Sequence, residues 1–222
     1  MNHKKRMVLM HNCLICGNET VSVVDTQIKV TYSVCNNCYF IHKDKEFHVD
    51  RKEENRQYSL HNNSFDSEGY VKIFVDLIHD YIKPLGITKK VLEYGSGPGP
   101  VLKELLVREG YSVFDFDPYF NDNLEYQDNM YELITSTEVV EHFNNPLADF
   151  KHLSSLLESK GYLVIMTRFR TMELPEFLNW WYRRDTTHVS FYTLKTLEVI
   201  AKKFNLNLVT TNNVNVIVFQ KI

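Results

Sequence analysis

The stretch "VLEYGSGPGP", residues 91–100, carries a short apolar run into a carboxylate, Glu93, and then into glycines at 95, 97 and 99. Glycine lets a backbone turn sharply and approach a ligand closely, because it has no Cβ to collide. At the carboxyl end of a strand and at the opening of a helix, such a loop faces the crevice where doubly wound sheets bind nucleotides. The surrounding sequence supplies that context. Apolar runs near 90–94, 111–116, 132–137 and 160–167 read as strands, and helical patterns near 99–109 and 146–158 lie between them. Asn145 is a candidate cap for the second of these helices, Pro146 suits its first turn, and Gly161 follows its end. Upstream, Tyr70, Phe74, Leu77, Ile78 and Tyr81 fall on one helical face until Pro84 and Gly86 end it. Downstream, a helix near 193–204 precedes two β-rich runs around Asn212 and Asn213, which read as a hairpin. The expected fold is α/β, a doubly wound, mainly parallel sheet closed by a C-terminal antiparallel hairpin.

The second strand ends in "VFDFDP", and Asp117 stands roughly 20 residues beyond Gly95, the spacing of an acid that holds ribose hydroxyls. Read alone, Asp117 is also a plain turn acid before Pro118. A dinucleotide fingerprint needs a glycine at the sixth position, and Pro100 stands there instead. The combination of "VLEYGSGPG", "ITSTEVVEHFNNP" and "GYLVIMT" resembles the class I S-adenosylmethionine-dependent methyltransferases over residues 68–222. The resemblance implies that Gly95, Ser96, Gly97 and Gly99 line the methionine and sulfonium side of the cofactor. It implies that Glu93 acts at the amino group or orders the loop, that Asp117 takes the ribose hydroxyls, and that Thr137 contributes backbone near the sulfonium. The third strand of that family is compressed here, around Leu124 to Tyr126, which leaves Asp128 as the nearest candidate for adenine.

Methyl transfer from a sulfonium is an in-line displacement, so alignment and water exclusion matter most. A hydroxyl or protonated-nitrogen acceptor also needs a base, and histidine suits neutral pH. His188, in "RRDTTHVSF", is the first candidate for base or acceptor ligand, and His142, after "EVVE", the second; each also reads as a structural hydrogen-bonding or capping residue. Trp180, Trp181 and Tyr182 read either as a wall for a planar or sugar-like acceptor or as core. Arg183 and Arg184 read as a phosphate or carboxylate clamp or as ion-paired surface.

All four cysteines lie near the N-terminus, as Cys13-x2-Cys16 and Cys35-x2-Cys38. Two such knuckles present four thiolates to one tetrahedral ion, and zinc is the expected metal; two redox pairs or a disulfide framework are the alternative readings. The β-branched stretch between them reads as a small hairpin, so residues 1–45 form an expected zinc ribbon and the charged residues 46–67 a linker. The late "WWYRRDTTHVSFY" and the segment "YSLHNN" further resemble a bacterial subgroup of zinc-ribbon methyltransferases.

With 222 residues and a net charge of −3, the chain has a sizeable core and no global field for nucleic acid or anionic membrane. No apolar run approaches the roughly 20 residues of a membrane span, and the basic start precedes too short an apolar run for a signal peptide, so a cytoplasmic location is expected. The expected acceptor is a small metabolite, sugar or natural-product intermediate. Alternatives are an RNA or protein acceptor recognised by the ribbon, an NAD-type oxidoreductase, and a non-catalytic binding module. Residues 1–64 hold nine basic and seven acidic side chains, weak support for RNA.

Overall fold

The computed structural model describes residues 12–60, 63–88 and 90–222; the basic start, residues 1–11, lies outside them. The N-terminal part contains β1 (Val21–Asp25), β2 (Val30–Val34) and β3 (Ile41–Lys43), followed by α1 (Arg51–Tyr58) and α2 (Glu68–Leu77). The main sheet is built from β4 (Lys90–Tyr94), β5 (Ser112–Phe116), β6 (Tyr131–Thr137) and β7 (Leu157–Met166). Between these strands run α3 (Val101–Arg108) and α4 (Pro146–Leu156). After α5 (Leu174–Asn179) and the short β8 (Ser190–Phe191) come α6 (Leu194–Lys203), β9 (Leu206–Thr211) and β10 (Val216–Lys221).

The six strands of the main sheet lie in the order β5-β4-β6-β7-β10-β9. The first four are parallel, and β10 runs antiparallel to both β7 and β9, the expected terminal hairpin. Successive strand side chains point to opposite faces. Val91, Leu133, Val164 and Val218 accordingly pack with Phe74, Leu77, Leu102 and Leu106 of α2 and α3. Leu92, Ile134, Ile165 and Ile217 pack on the other face with Phe150 and Leu153 of α4 and Leu197 and Ile200 of α6. Fully burying each such side chain stabilises the fold by roughly 1.5–3 kcal/mol. The helical face read upstream is real: Phe74, Leu77 and Ile78 are buried in this core, and α2 runs on as a π turn, Ile78–Ile82, to a left-handed Gly86.

Three expectations are corrected. Leu124–Asp128 is a 3-10 turn capped by Asn123, not a third strand, so β5 forms the sheet edge. Gly161 does not end α4 but lies within β7, where a Cβ would come 2.9 Å from Glu158 O and 3.0 Å from Tyr131 O. The pairing there jumps from Tyr131↔Leu157 to Leu133↔Tyr162, so β7 loops out extra residues around this glycine. The charged stretch expected as a linker carries α1, whose N-cap Asp50 accepts a hydrogen bond from Glu53 N at 2.9 Å.

The cysteine-bearing hairpin is joined to the main sheet's polypeptide by a strand. β3 pairs with β8, giving a second sheet β1-β2-β3-β8 in which residues 190–191 complete the ribbon. Polar bonds reinforce the junction. Thr196 Oγ1 donates to Cys38 O at 2.8 Å, Arg170 Nη2 to Tyr39 O at 2.6 Å, and Lys43 Nζ to Thr186 O at 3.0 Å. Arg183, fully buried, pairs with buried Asp25 at 2.7 Å and also donates to Gln27 and Trp180 O. Arg183 is therefore an internal strut of the ribbon junction rather than an acceptor clamp, and Arg184 is exposed.

Candidate active site

A cavity of about 840 Å³ opens at the carboxyl ends of β4, β5 and β6. Gly95 and Gly97 lie in its wall with φ of 86° and 67°, a left-handed backbone that side chains disfavour. A Cβ at Gly95 would stand 2.2 Å from Val139 Cγ2, so this glycine is required by packing as well as by backbone. Gly99 serves a different purpose. It is outside the cavity wall, and a Cβ there would meet Asn63 O at 1.7 Å, so Gly99 lets the chain after α1 cross the loop.

Asp117 locks the loop. Its Oδ2 accepts from Gly97 N at 2.9 Å, while Oδ1 accepts from Tyr119 N at 2.8 Å and Phe120 N at 3.2 Å. Glu93 lies beneath, only 3% exposed, and its Oε2 has no hydrogen-bond partner among the described residues. Burial, and then the neighbouring Asp115, raise its carboxyl to about 8. Ser96 and Thr137 are buried in the same wall, whereas exposed Asp128 lies outside it.

The rest of the cavity wall is assembled from distant segments. Tyr58 of α1 meets the rings of Tyr119 and His142, and Glu54 accepts a hydrogen bond from the Tyr119 hydroxyl. After β6 the chain makes a left-handed turn at Glu138 (φ 54°) and a 3-10 turn, Val140–His142. The Tyr182 hydroxyl then stands 2.5 Å from Glu141 Oε1 and 3.0 Å from Glu138 Oε2. Glu141 is fully buried, and its Oε2 has no hydrogen-bond partner among the described residues. Burial raises its carboxyl, and burial together with Glu141 raises Glu138 to about 8.

His142 and His188 stand side by side, ring centroids 4.9 Å apart. His142 Nδ1 is 3.1 Å from Thr187 O, and His188 Nδ1 is 2.9 Å from Tyr182 O. A carbonyl only accepts, so each Nδ1 carries the proton and each Nε2 keeps its lone pair. Burial lowers His188 to about 3 and also lowers His142, so both rings are neutral. Trp181, 61% exposed, edges the cavity under the Arg168 guanidinium, while Trp180 packs into the apolar cluster beneath β2 and β8. Six carboxylates line the cavity against a single arginine, Arg168.

The four cysteines converge as expected. Cys13 and Cys38 sulfurs are 3.5 Å apart, as are those of Cys16 and Cys35, and all four thiols are free. A tetrahedral zinc–thiolate centre with bonds of roughly 2.3 Å has sulfur–sulfur edges of roughly 3.8 Å, so the cage has the right size. Ile15 N and Cys38 N donate to Cys13 and Cys35 sulfur, the backbone support a thiolate needs.

The sheet order and the glycine loop define a Rossmann-like α/β protein built for a nucleotide-type ligand. A family model described as a methyltransferase domain matches residues 65–211, so the chain belongs to that family and is an S-adenosylmethionine-dependent methyltransferase. Its fold is similar to that of magnesium protoporphyrin IX methyltransferase from Synechocystis PCC 6803, solved with bound SAH, at 13% identity and TM-score 0.50, over 79% of this chain and 89% of that one. It is similar also to a protein described as a putative sarcosine dimethylglycine methyltransferase from Galdieria sulphuraria, at 15% identity and TM-score 0.51, over 64% of each chain. No curated protein matches the sequence. Among the described residues, no helix is long and apolar enough to cross a membrane.

Sequence reasoning did not single out Glu138, Glu141, Glu54 or Tyr58, and it read Tyr182 as acceptor wall or core rather than as the partner of two carboxyls. A signal for the first two was present: "EVVEH" repeats an acid three residues on and follows it with histidine, which one helical turn brings to one side.

Proposed function

We propose that the protein transfers the methyl group of S-adenosylmethionine to a small metabolite, sugar or natural-product intermediate. The observation that carries this reading is one cavity lined both by the glycine loop and by His188 and Trp181. Its volume fits a cofactor and a small second molecule, within the roughly 300–1,000 Å³ of ligand pockets. The donor belongs with Gly95, Ser96, Gly97 and Thr137. Asp117 retains acceptor capacity beyond its backbone bonds for the ribose hydroxyls. Glu93, buried without a partner for Oε2, suits a cationic group of the methionine end. The excess of carboxylates disfavours a nucleic-acid acceptor.

His188 and His142 belong to the acceptor side, where their Nε2 lone pairs are available to a proton or an ion. Zinc belongs in the cysteine cage, where it orders the ribbon and, through β3 and β8, the segment carrying His188. We assign residues 1–45 to this ribbon and 68–222 to the transferase domain, with α1 as a cover over the cavity. A four-thiolate zinc site fits the cytoplasmic setting expected of the chain.

Calorimetry with S-adenosylmethionine, S-adenosylhomocysteine and NAD tests the reading. The first two should bind with one site per chain and NAD should not. Binding of NAD alone would replace the transferase with an oxidoreductase.

A further inference from the structure

Three potential ligands converge in the acceptor half, away from the cysteine cage. One atom from each of Glu141, His142 and His188 lies within 4.8 Å of the other two. Each imidazole is oriented as metal-bound histidines are, with Nδ1–H given to a backbone carbonyl and Nε2 left as a donor. The third group supplies an independent sign of a ligand. Glu141 has no exposed surface, yet its Oε2 has no hydrogen-bond partner among the described residues, and the residue lines the cavity. Leaving a buried carboxyl oxygen without a partner is unfavourable. Tyr182 fixes the other oxygen, so Oε2 is held in place.

We propose that Glu141, His142 and His188 bind a divalent first-row cation whose open positions face the cavity and take the oxygen of a hydroxyl-bearing acceptor. Two imidazoles and one carboxylate are a common donor set for such ions with sites left for other ligands. The ion has a purpose in methyl transfer, and this part of the proposal rests on the methyltransferase reading. Metal coordination lowers the pKa of a bound hydroxyl, whose proton passes to water. The resulting oxygen attacks the methyl carbon as the carbon–sulfur bond breaks. An oxygen–carbon bond forms, the bonding pair returns to sulfur, and the cation S-adenosylmethionine leaves as neutral S-adenosylhomocysteine. The substrate class this selects is alcohols or phenols rather than carbon nucleophiles.

Manganese(II) tests the site directly, because its paramagnetic resonance signal reports the free ion. The full chain is first loaded with one equivalent of zinc, then titrated with Mn²⁺ and separately with further Zn²⁺, and S-adenosylhomocysteine affinity is measured on the same samples. The expected result is one further ion per chain, weakened at least roughly tenfold in His188→Ala and in Glu141→Gln, with S-adenosylhomocysteine affinity kept. Glu141→Gln keeps an oxygen for the Tyr182 hydroxyl and guards against misfolding of the alanine variant. Wild-type protein that binds S-adenosylhomocysteine but neither ion beyond the first zinc overturns the site and leaves the transferase reading standing. Unchanged ion affinity in both variants overturns the ligand assignment. Ion binding without any S-adenosylhomocysteine binding supports the site and overturns the transferase reading.

Discussion

Around Gly97 the cavity wall is backbone, held by one carboxylate, Asp117, that accepts Gly97 N of the loop and the N–H groups of Tyr119 and Phe120 in its own turn. Around His188 the wall is side chains, drawn from α1, from residues 138–142 and from residues 181–188, and braced by the cysteine hairpin. The first half is local and close to self-supporting. The second is a tertiary assembly whose geometry depends on the ribbon, so the two halves should fail separately.

The largest separation should come from the buried strut. Arg183→Met leaves Asp25 as an unpaired buried charge and should lower stability by about 3–5 kcal/mol in denaturant unfolding. Where the variant is still folded, S-adenosylhomocysteine should bind as in wild type. Equal loss of stability and cofactor affinity would mean that the two halves form one unit.

A smaller effect, in the opposite half, is expected of Gly95→Ala. The new methyl meets Val139 and the backbone stays left-handed, a strain of about 1–3 kcal/mol, so cofactor affinity should drop roughly tenfold or more. The ion titration should be nearly unchanged. A calorimetric affinity equal to wild type would remove the loop from the donor site.

A third effect is a pH slope. Glu93 ionises near 8 in the folded chain against an ordinary 4.5, so between those values the folded state holds a proton that the unfolded state has released. Its contribution to stability is therefore complete below about 4.5 and is lost as pH rises toward about 8. Glu93→Gln should flatten that decline relative to wild type in unfolding measured across the range. A parallel slope would mean that Glu93 is ionised at neutral pH.

The same contrast explains what could be read from the chain. The glycine loop, Asp117, the parallel strands and the terminal hairpin were legible because each is a local pattern of period, turn residue and spacing. Both cysteine knuckles were legible for the same reason. Helix α1 was hidden because it is charged all round and buries none of its own residues; only the Asp50 and Glu53 pair, a capping signature, marks its start. The convergence of Glu141, His142, His188 and Tyr182 spans more than forty residues of sequence and depends on β8 joining the ribbon, which no local pattern encodes. Arg183 reads as a ligand clamp or as ion-paired surface because sequence shows its charge and not its buried partner Asp25.

The separation of donor and acceptor halves is tested most directly by titrating S-adenosylhomocysteine into wild type, Asp117→Ala and His188→Ala under one set of conditions. Wild type should bind one equivalent. Asp117→Ala should weaken binding by at least about 1.5 kcal/mol, the lower range for removing a charged hydrogen-bond partner, and His188→Ala should bind nearly as wild type. Unchanged affinity in a folded Asp117→Ala, or an equal loss in His188→Ala, would contradict the division.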